Sequence, residues 1–116
     1  MPTAKRKVRV CNIEDLAAGA AKGVRLKEFG SDDFFIVNQS GQIYAYENSC
    51  PHWPGSTLPV KKDAYLCKRN LHITCHGHGA LFDVTTGRCF SGPCEGEYLS
   101  SLLVDVDEEG EIFVLV

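Results

Sequence analysis

Two short clusters, Cys50-Pro51-His52 and Cys75-His76-Gly77-His78, offer two thiols and two imidazoles at close spacing. Thiolates and neutral imidazoles are the donors that soft and borderline metals take up. The first cluster spaces its pair as Cys-x-His and the second as Cys-x-x-His, so each supplies one sulfur and one nitrogen. Two cysteines with two histidines make a structural zinc set, and the same donors also serve an iron–sulfur centre. Zinc sites usually pair cysteine with cysteine and histidine with histidine, whereas here each pair is mixed.

Four donors drawn from two distant stretches must be brought together by the elements around them. Val8 and Val10 alternate with basic neighbours, the period of a half-buried strand. Ile13 to Gly23 is rich in Ala and Gly; it suits one helical turn around Ile13-Glu14-Asp15-Leu16 and no long helix. Val24-Arg25-Leu26-Lys27 alternates again, and turn residues Gly30 to Asp33 precede the β-rich run Phe34-Phe35-Ile36-Val37. Asn38-Gln39-Ser40-Gly41 turns the chain into Gln42 to Tyr46, so the first donor stretch begins where a hairpin ends. Pro51, Pro54, Gly55 and Pro59 then make a stiff, irregular loop.

Ala64 to Cys67 and Leu71 to Thr74 read as a hairpin leading into the second donor stretch. Leu81 to Val84 and Arg88 to Phe90 flank Thr85-Thr86-Gly87 as a further hairpin, followed by a loop from Ser91 to Gly96. Leu99 to Val106, an acidic turn and Ile112 to Val116 close the chain. Short strands with frequent turns and no long helix predict an all-β sandwich or barrel.

The chain has 116 residues, a size that fits one domain, residues 1–116, with a base made of both ends and a lobe at about 48–94. A formal charge of −3 leaves no nucleic-acid footprint, and Lys5-Arg6-Lys7 reads as a solvated patch. No apolar run approaches the ~20 residues that span a bilayer, and the first residues lack the apolar core of a secretory signal. The expectation is a soluble cytoplasmic protein without a membrane partner. In a reducing compartment the cysteines outside the clusters, Cys11, Cys67, Cys89 and Cys94, should be thiols.

Cys50-Pro51-His52, then Cys75-x-x-His78-Gly79 followed by Phe82-Asp83, resembles the Rieske [2Fe–2S] signature. The resemblance covers most of the chain. It implies the Rieske iron–sulfur fold, an antiparallel β-sandwich base with a small cluster-binding lobe, and one [2Fe–2S] cluster per chain. Cys50 and Cys75 would hold one iron, and His52 and His78 the other, as histidines replace two cysteines in that family. Gly77 and Gly79 would let backbone N–H groups reach the cluster. Pro93 resembles the residue that covers the cluster from a third side, with Gly92 permitting the approach. The segment from Val60 to Thr74 is longer than in compact ferredoxin members, which would reshape a partner surface.

High-potential members carry Ser and Tyr donors where this chain has Ala80 and Phe82, and a disulfide where it has Gly55 and Gly77. The expectation is a low-potential, ferredoxin-like centre. His72 is expected to be a hydrogen-bonded or exposed strand residue rather than a ligand. His76 stands where relatives have Pro, Cys94 is by default a small buried hydrophobe, and Trp53 suits either a docking surface or a wall of the lobe.

The resulting functional expectation is a one-electron carrier between a reductase and a terminal oxygenase or similar enzyme, monomeric when free and with no catalytic residues of its own. The alternative is a non-catalytic small subunit of a larger oxidoreductase such as nitrite reductase. A zinc-stabilised binding module and a redox sensor stand behind these.

Overall fold

The run Phe34-Phe35-Ile36-Val37 is apolar on both faces of a strand, and the fold buries it on both. In the computed structural model, which describes residues 7–26, 32–48, 66, 72–75, 80–92 and 95–116, these four side chains are 0–1% exposed. Successive strand side chains point to opposite sides. Phe34 and Ile36 therefore enter one core with Cys11, Leu16, Ala45, Ile112 and Val114. Phe35 and Val37 enter a second with Tyr46, Ile73, Cys75, Ala80, Phe82, Val84, Cys89 and Leu99.

Among the described residues nine strands form around these cores: β1 (Lys7–Asn12), β2 (Ala21–Val24), β3 (Phe34–Gln39), β4 (Gln42–Glu47), β5 (Ile73–Cys75), β6 (Ala80–Phe82), β7 (Cys89–Ser91), β8 (Ser101–Val106) and β9 (Glu111–Leu115). A six-stranded sheet runs β1-β9-β8-β4-β3-β2 and forms the base, and a three-stranded sheet runs β5-β6-β7. Every pairing is antiparallel. The all-β expectation holds. β1 pairs with β9 from Lys7↔Leu115 onward, with a register shift between Arg9 and Cys11.

The expected helical turn is a short 3-10 turn, Ile13–Asp15, capped by the Asn12 side chain, which accepts from the Glu14 N–H. The strand expected from Val24 lies earlier, at Ala21–Val24, because Ala21 to Val24 align with Val37 to Phe34 on β3. Beyond it the Leu26 N–H donates to the Asp33 carboxylate at 2.6 Å instead of to a strand. Gly23 is tolerated in β2 opposite Phe35, so local propensity yields to pairing. The hairpin expected at 64–74 lies largely outside the described residues; an antiparallel bridge between Leu66 and Ile73 is the described part of it.

The β3–β4 turn is tied by Asn38, which is buried with both ends of its amide bonded: its NH2 donates to the Leu16 carbonyl at 2.7 Å and its oxygen accepts from the Gly41 N–H at 2.9 Å.

Candidate metal centre

Of the four expected ligands, Cys75 lies within the described residues, and Cys50, His52 and His78 lie outside them. Cys75 is the last residue of β5, is fully buried, and pairs in register with Ala80, the first residue of β6. Cys75 and Ala80 are thus the paired ends of β5 and β6, and residues 76–79, which include His78, lie outside the described residues. The side chain of Cys75 shares the inner face with Ile73, Ala80 and Phe82.

The other donor stretch is approached along β4. After Glu47, the Asn48 N–H donates to the Asp33 carbonyl at 3.1 Å and its side-chain amide to the Asp32 carbonyl at 3.0 Å. The chain is thus clamped two residues before Cys50. Asn48 is nearly buried, and a clamp of this kind sets the direction in which the chain leaves the sheet.

A third stretch arrives after β7. Gly92 has φ +108°, and a Cβ there would lie 2.7 Å from the Ala80 Cα and 3.2 Å from its Cβ. Only glycine permits this backbone to lie directly on the strand that faces Cys75. Gly92 makes its close approach to Ala80 on β6; Pro93, Cys94, Trp53, Gly55, His76, Gly77, Gly79 and Cys67 lie outside the described residues. A buried thiol at a hairpin mouth, with a glycine backbone packed on its partner strand, fits one side of a thiolate-ligated group. Ala80 and Phe82 are both fully buried and carry no hydroxyl.

His72 sits at the other end of β5. It is roughly 10 Å along the strand from Cys75 at about 3.3 Å per residue, and its ring packs edge-on against Phe90 with centroids 4.7 Å apart. It lines an open groove of about 420 Å³ with Asp83, Thr86, Arg88 and Phe90. It was expected on a strand and lies one residue before β5, partly buried. The Asp83 carboxyl is held below the usual carboxylate range, first by the Thr85 hydroxyl and N–H that it accepts from, with smaller help from Thr86 and the His72 ring.

Cys89 is buried on β7, and its thiol donates to the Ser91 carbonyl at 3.3 Å. Cys11 lies in the other core, where burial is the main cause that pushes its thiol pKa up. The expectation of thiols holds for both.

One residue that the sequence did not single out joins the base to this sheet. Tyr46, on β4, is buried and donates its hydroxyl to the Val84 carbonyl at 2.6 Å. Burial, with the Asp83 charge second, pushes its phenol up to about 12. Its ring occupies the space above Gly87, where a Cβ would come within 2.7 Å of it. The sequence placed Tyr46 only at the end of a strand, since a contact across 38 positions leaves no local trace.

Comparison with known proteins meets this geometry. A family model described as the Rieske [2Fe-2S] domain matches residues 6–113. The apoptosis-inducing factor 3 proteins of mouse and human are 31% identical over 78 residues, which is 67% of this chain and 11% of those relatives. The chain thus spans about a tenth of their length. The ferredoxin of carbazole 1,9a-dioxygenase from Nocardioides aromaticivorans IC177 is similar in structure, with a TM-score of 0.67, 28% identity and 97% of each chain covered. A chain from a complex of reduced oxygenase and oxidized ferredoxin in carbazole 1,9a-dioxygenase aligns with a TM-score of 0.71 and 28% identity, over 94% of this chain and 92% of that one. The hairpin that presents Cys75, the glycine laid on its partner strand and a match over nearly the whole chain agree, and the chain belongs to the Rieske [2Fe-2S] domain family.

Proposed function

We propose that this chain is a one-electron carrier that passes electrons from a reductase to a terminal oxygenase or similar oxidoreductase. One [2Fe–2S] cluster per chain would be held by Cys50 and Cys75 on one iron and by His52 and His78 on the other. When bound, the cluster supplies a single-electron couple whose midpoint in this family spans about −150 to +300 mV. The observation that carries the reading is Cys75, buried at the mouth of the β5–β6 hairpin with the Gly92 backbone against its partner strand. The similarity to a ferredoxin that is found in complex with an oxygenase supports the choice of acceptor.

The protein's own part is to hold and shield. The inner face around Cys75 is apolar, which excludes water from the thiolate side. The absence of hydroxyls at Ala80 and Phe82 leaves the cluster sulfurs without those two donors, so the midpoint falls in the lower part of the family's range. The chain acts as one domain over residues 1–116, with a lobe at about 48–94, and is monomeric and cytoplasmic, with no substrate turnover of its own. Among the described residues no helix is long and apolar enough to cross a membrane.

Anaerobic purification, a visible spectrum and low-temperature EPR after dithionite reduction test the reading. A red-brown protein with the low average g of histidine-ligated [2Fe–2S] centres is the expected result. A colourless protein that carries zinc and gives no signal on reduction overturns it. Size measurement in cell extract then separates a free monomeric carrier from a subunit held permanently in a larger oxidoreductase.

A further inference from the structure

Tyr46 ties the strand that leads toward Cys50 to the turn that follows β6. It lies on β4, four residues before Cys50, and its neighbours lead straight into the clamp at Asn48. Its hydroxyl reaches across to the Val84 carbonyl, six residues after His78 and two beyond the end of β6. That carbonyl belongs to the tight turn closed by the Asp83 N–H to Arg88 carbonyl bond at 2.9 Å and the Gly87 N–H to Asp83 carbonyl bond at 2.7 Å. The turn continues into β7 and then Gly92, which rests on Ala80. The Gly87 carbonyl also accepts from the Leu99 N–H at 2.9 Å, so the receiving end is itself braced.

A two-iron group held by one cysteine and one histidine from each stretch requires the stretches to keep a fixed separation. Direct hydrogen bonds between β4 and the β6–β7 hairpin are otherwise absent from the described side-chain contacts, since the two belong to different sheets. The hydroxyl is buried and 2.6 Å from its acceptor, so it has no water to exchange with. The ring is wedged between Phe35, with centroids 6.0 Å apart, and the bare Cα of Gly87.

We infer that Tyr46 is a positioning residue: through the Val84 carbonyl and the Gly87 seat it fixes the distance between the first and second ligand-bearing stretches. The inference rests on the four-ligand cluster reading for its function and on the hydrogen bond and packing for its geometry. Nothing in the role requires Tyr46 to touch the cluster.

The test compares Tyr46→Phe with Ile112→Val, a fully buried change confined to the other core. Hydrogen exchange is read at the Glu47 and Asn48 amides, and at those of Asp83 and Gly87. In Tyr46→Phe both pairs are expected to exchange at least tenfold faster, together, and by more than the β1–β9 amides, which accelerate only as far as the loss of global stability requires. The EPR spectrum of the reduced protein should change its g-values in Tyr46→Phe and keep them in Ile112→Val. Loosening confined to 83–88, or wild-type exchange and g-values in Tyr46→Phe, overturns the inference. If Tyr46→Phe does not fold, Gly87→Ala decides through the Glu47 and Asn48 amides alone, because it displaces the Tyr46 ring but also strains its own turn at φ +77°; faster exchange at those two amides is expected, and wild-type rates there overturn the inference. A wild-type protein without a Rieske signal defeats the cluster reading alone, because the exchange result still reports whether Tyr46 couples the two stretches.

Discussion

At the scale of single residues, two buried or hydrogen-bonded groups give the protein a readable dependence on pH. The Tyr46 phenol is raised from its usual 10 to about 12, so the fold favours its neutral form. That contribution is complete below pH 10 and is lost as pH rises through about 12. Urea midpoints measured across this interval should fall more steeply in wild type than in Tyr46→Phe. At neutral pH the same variant should be less stable by about 1–3 kcal/mol, the cost of leaving the Val84 carbonyl buried and unpaired. Asp83 runs the other way. Its pKa is lowered from 3.8, principally by the Thr85 hydroxyl, so its contribution is present above 3.8 and is lost as pH falls through the folded value. Asp83→Asn should remove that acid-side loss, measured as the difference in urea midpoint between pH 5 and pH 2.

At the scale of elements, the hairpins do the positioning, and Gly92 shows how narrowly. Replacing it by Ala places a methyl 2.7 Å from the Ala80 Cα in a backbone with φ +108°. The strain should cost about 1–3 kcal/mol, and release of iron to a chelator should be faster than in wild type. The two-residue alternation of Val8 and Val10, the run Phe34 to Val37 and the Thr-Thr-Gly turn at 85–87 made these elements legible before any coordinates. The mixed Cys-x-His and Cys-x-x-His pairs made the family legible, because a ligand motif is a local pattern. Ala21 to Gly23 was not legible as a strand, since Ala and Gly carry little strand preference and the pairing with β3 decides. Tyr46 and Gly87 were equally hidden: one reads as the end of a strand, the other as an ordinary turn glycine, and only folding sets them against each other.

At the scale of the molecule, β3 belongs to both cores, so neither has an independent foundation. Ile36→Ala should cost about 2–5 kcal/mol. Although Ile36 faces away from Cys75, the visible absorbance and the far-UV circular dichroism should still be lost in one coincident transition. Surface charge contributes less: the Lys7–Asp105 pair is about half exposed on both sides and holds little stability. The pairing of Lys7 with Leu115 has a different consequence. Antiparallel partners lie within roughly 5.5 Å, so the point where chain enters this unit and the point where it leaves are side by side. Such a unit can be spliced into a longer polypeptide with almost no separation forced on what precedes and follows it. By the same geometry, position 116 can be joined to position 7 through a short linker and the chain reopened at the Ser40-Gly41 turn, and that permuted protein should keep its colour and its reduced EPR spectrum.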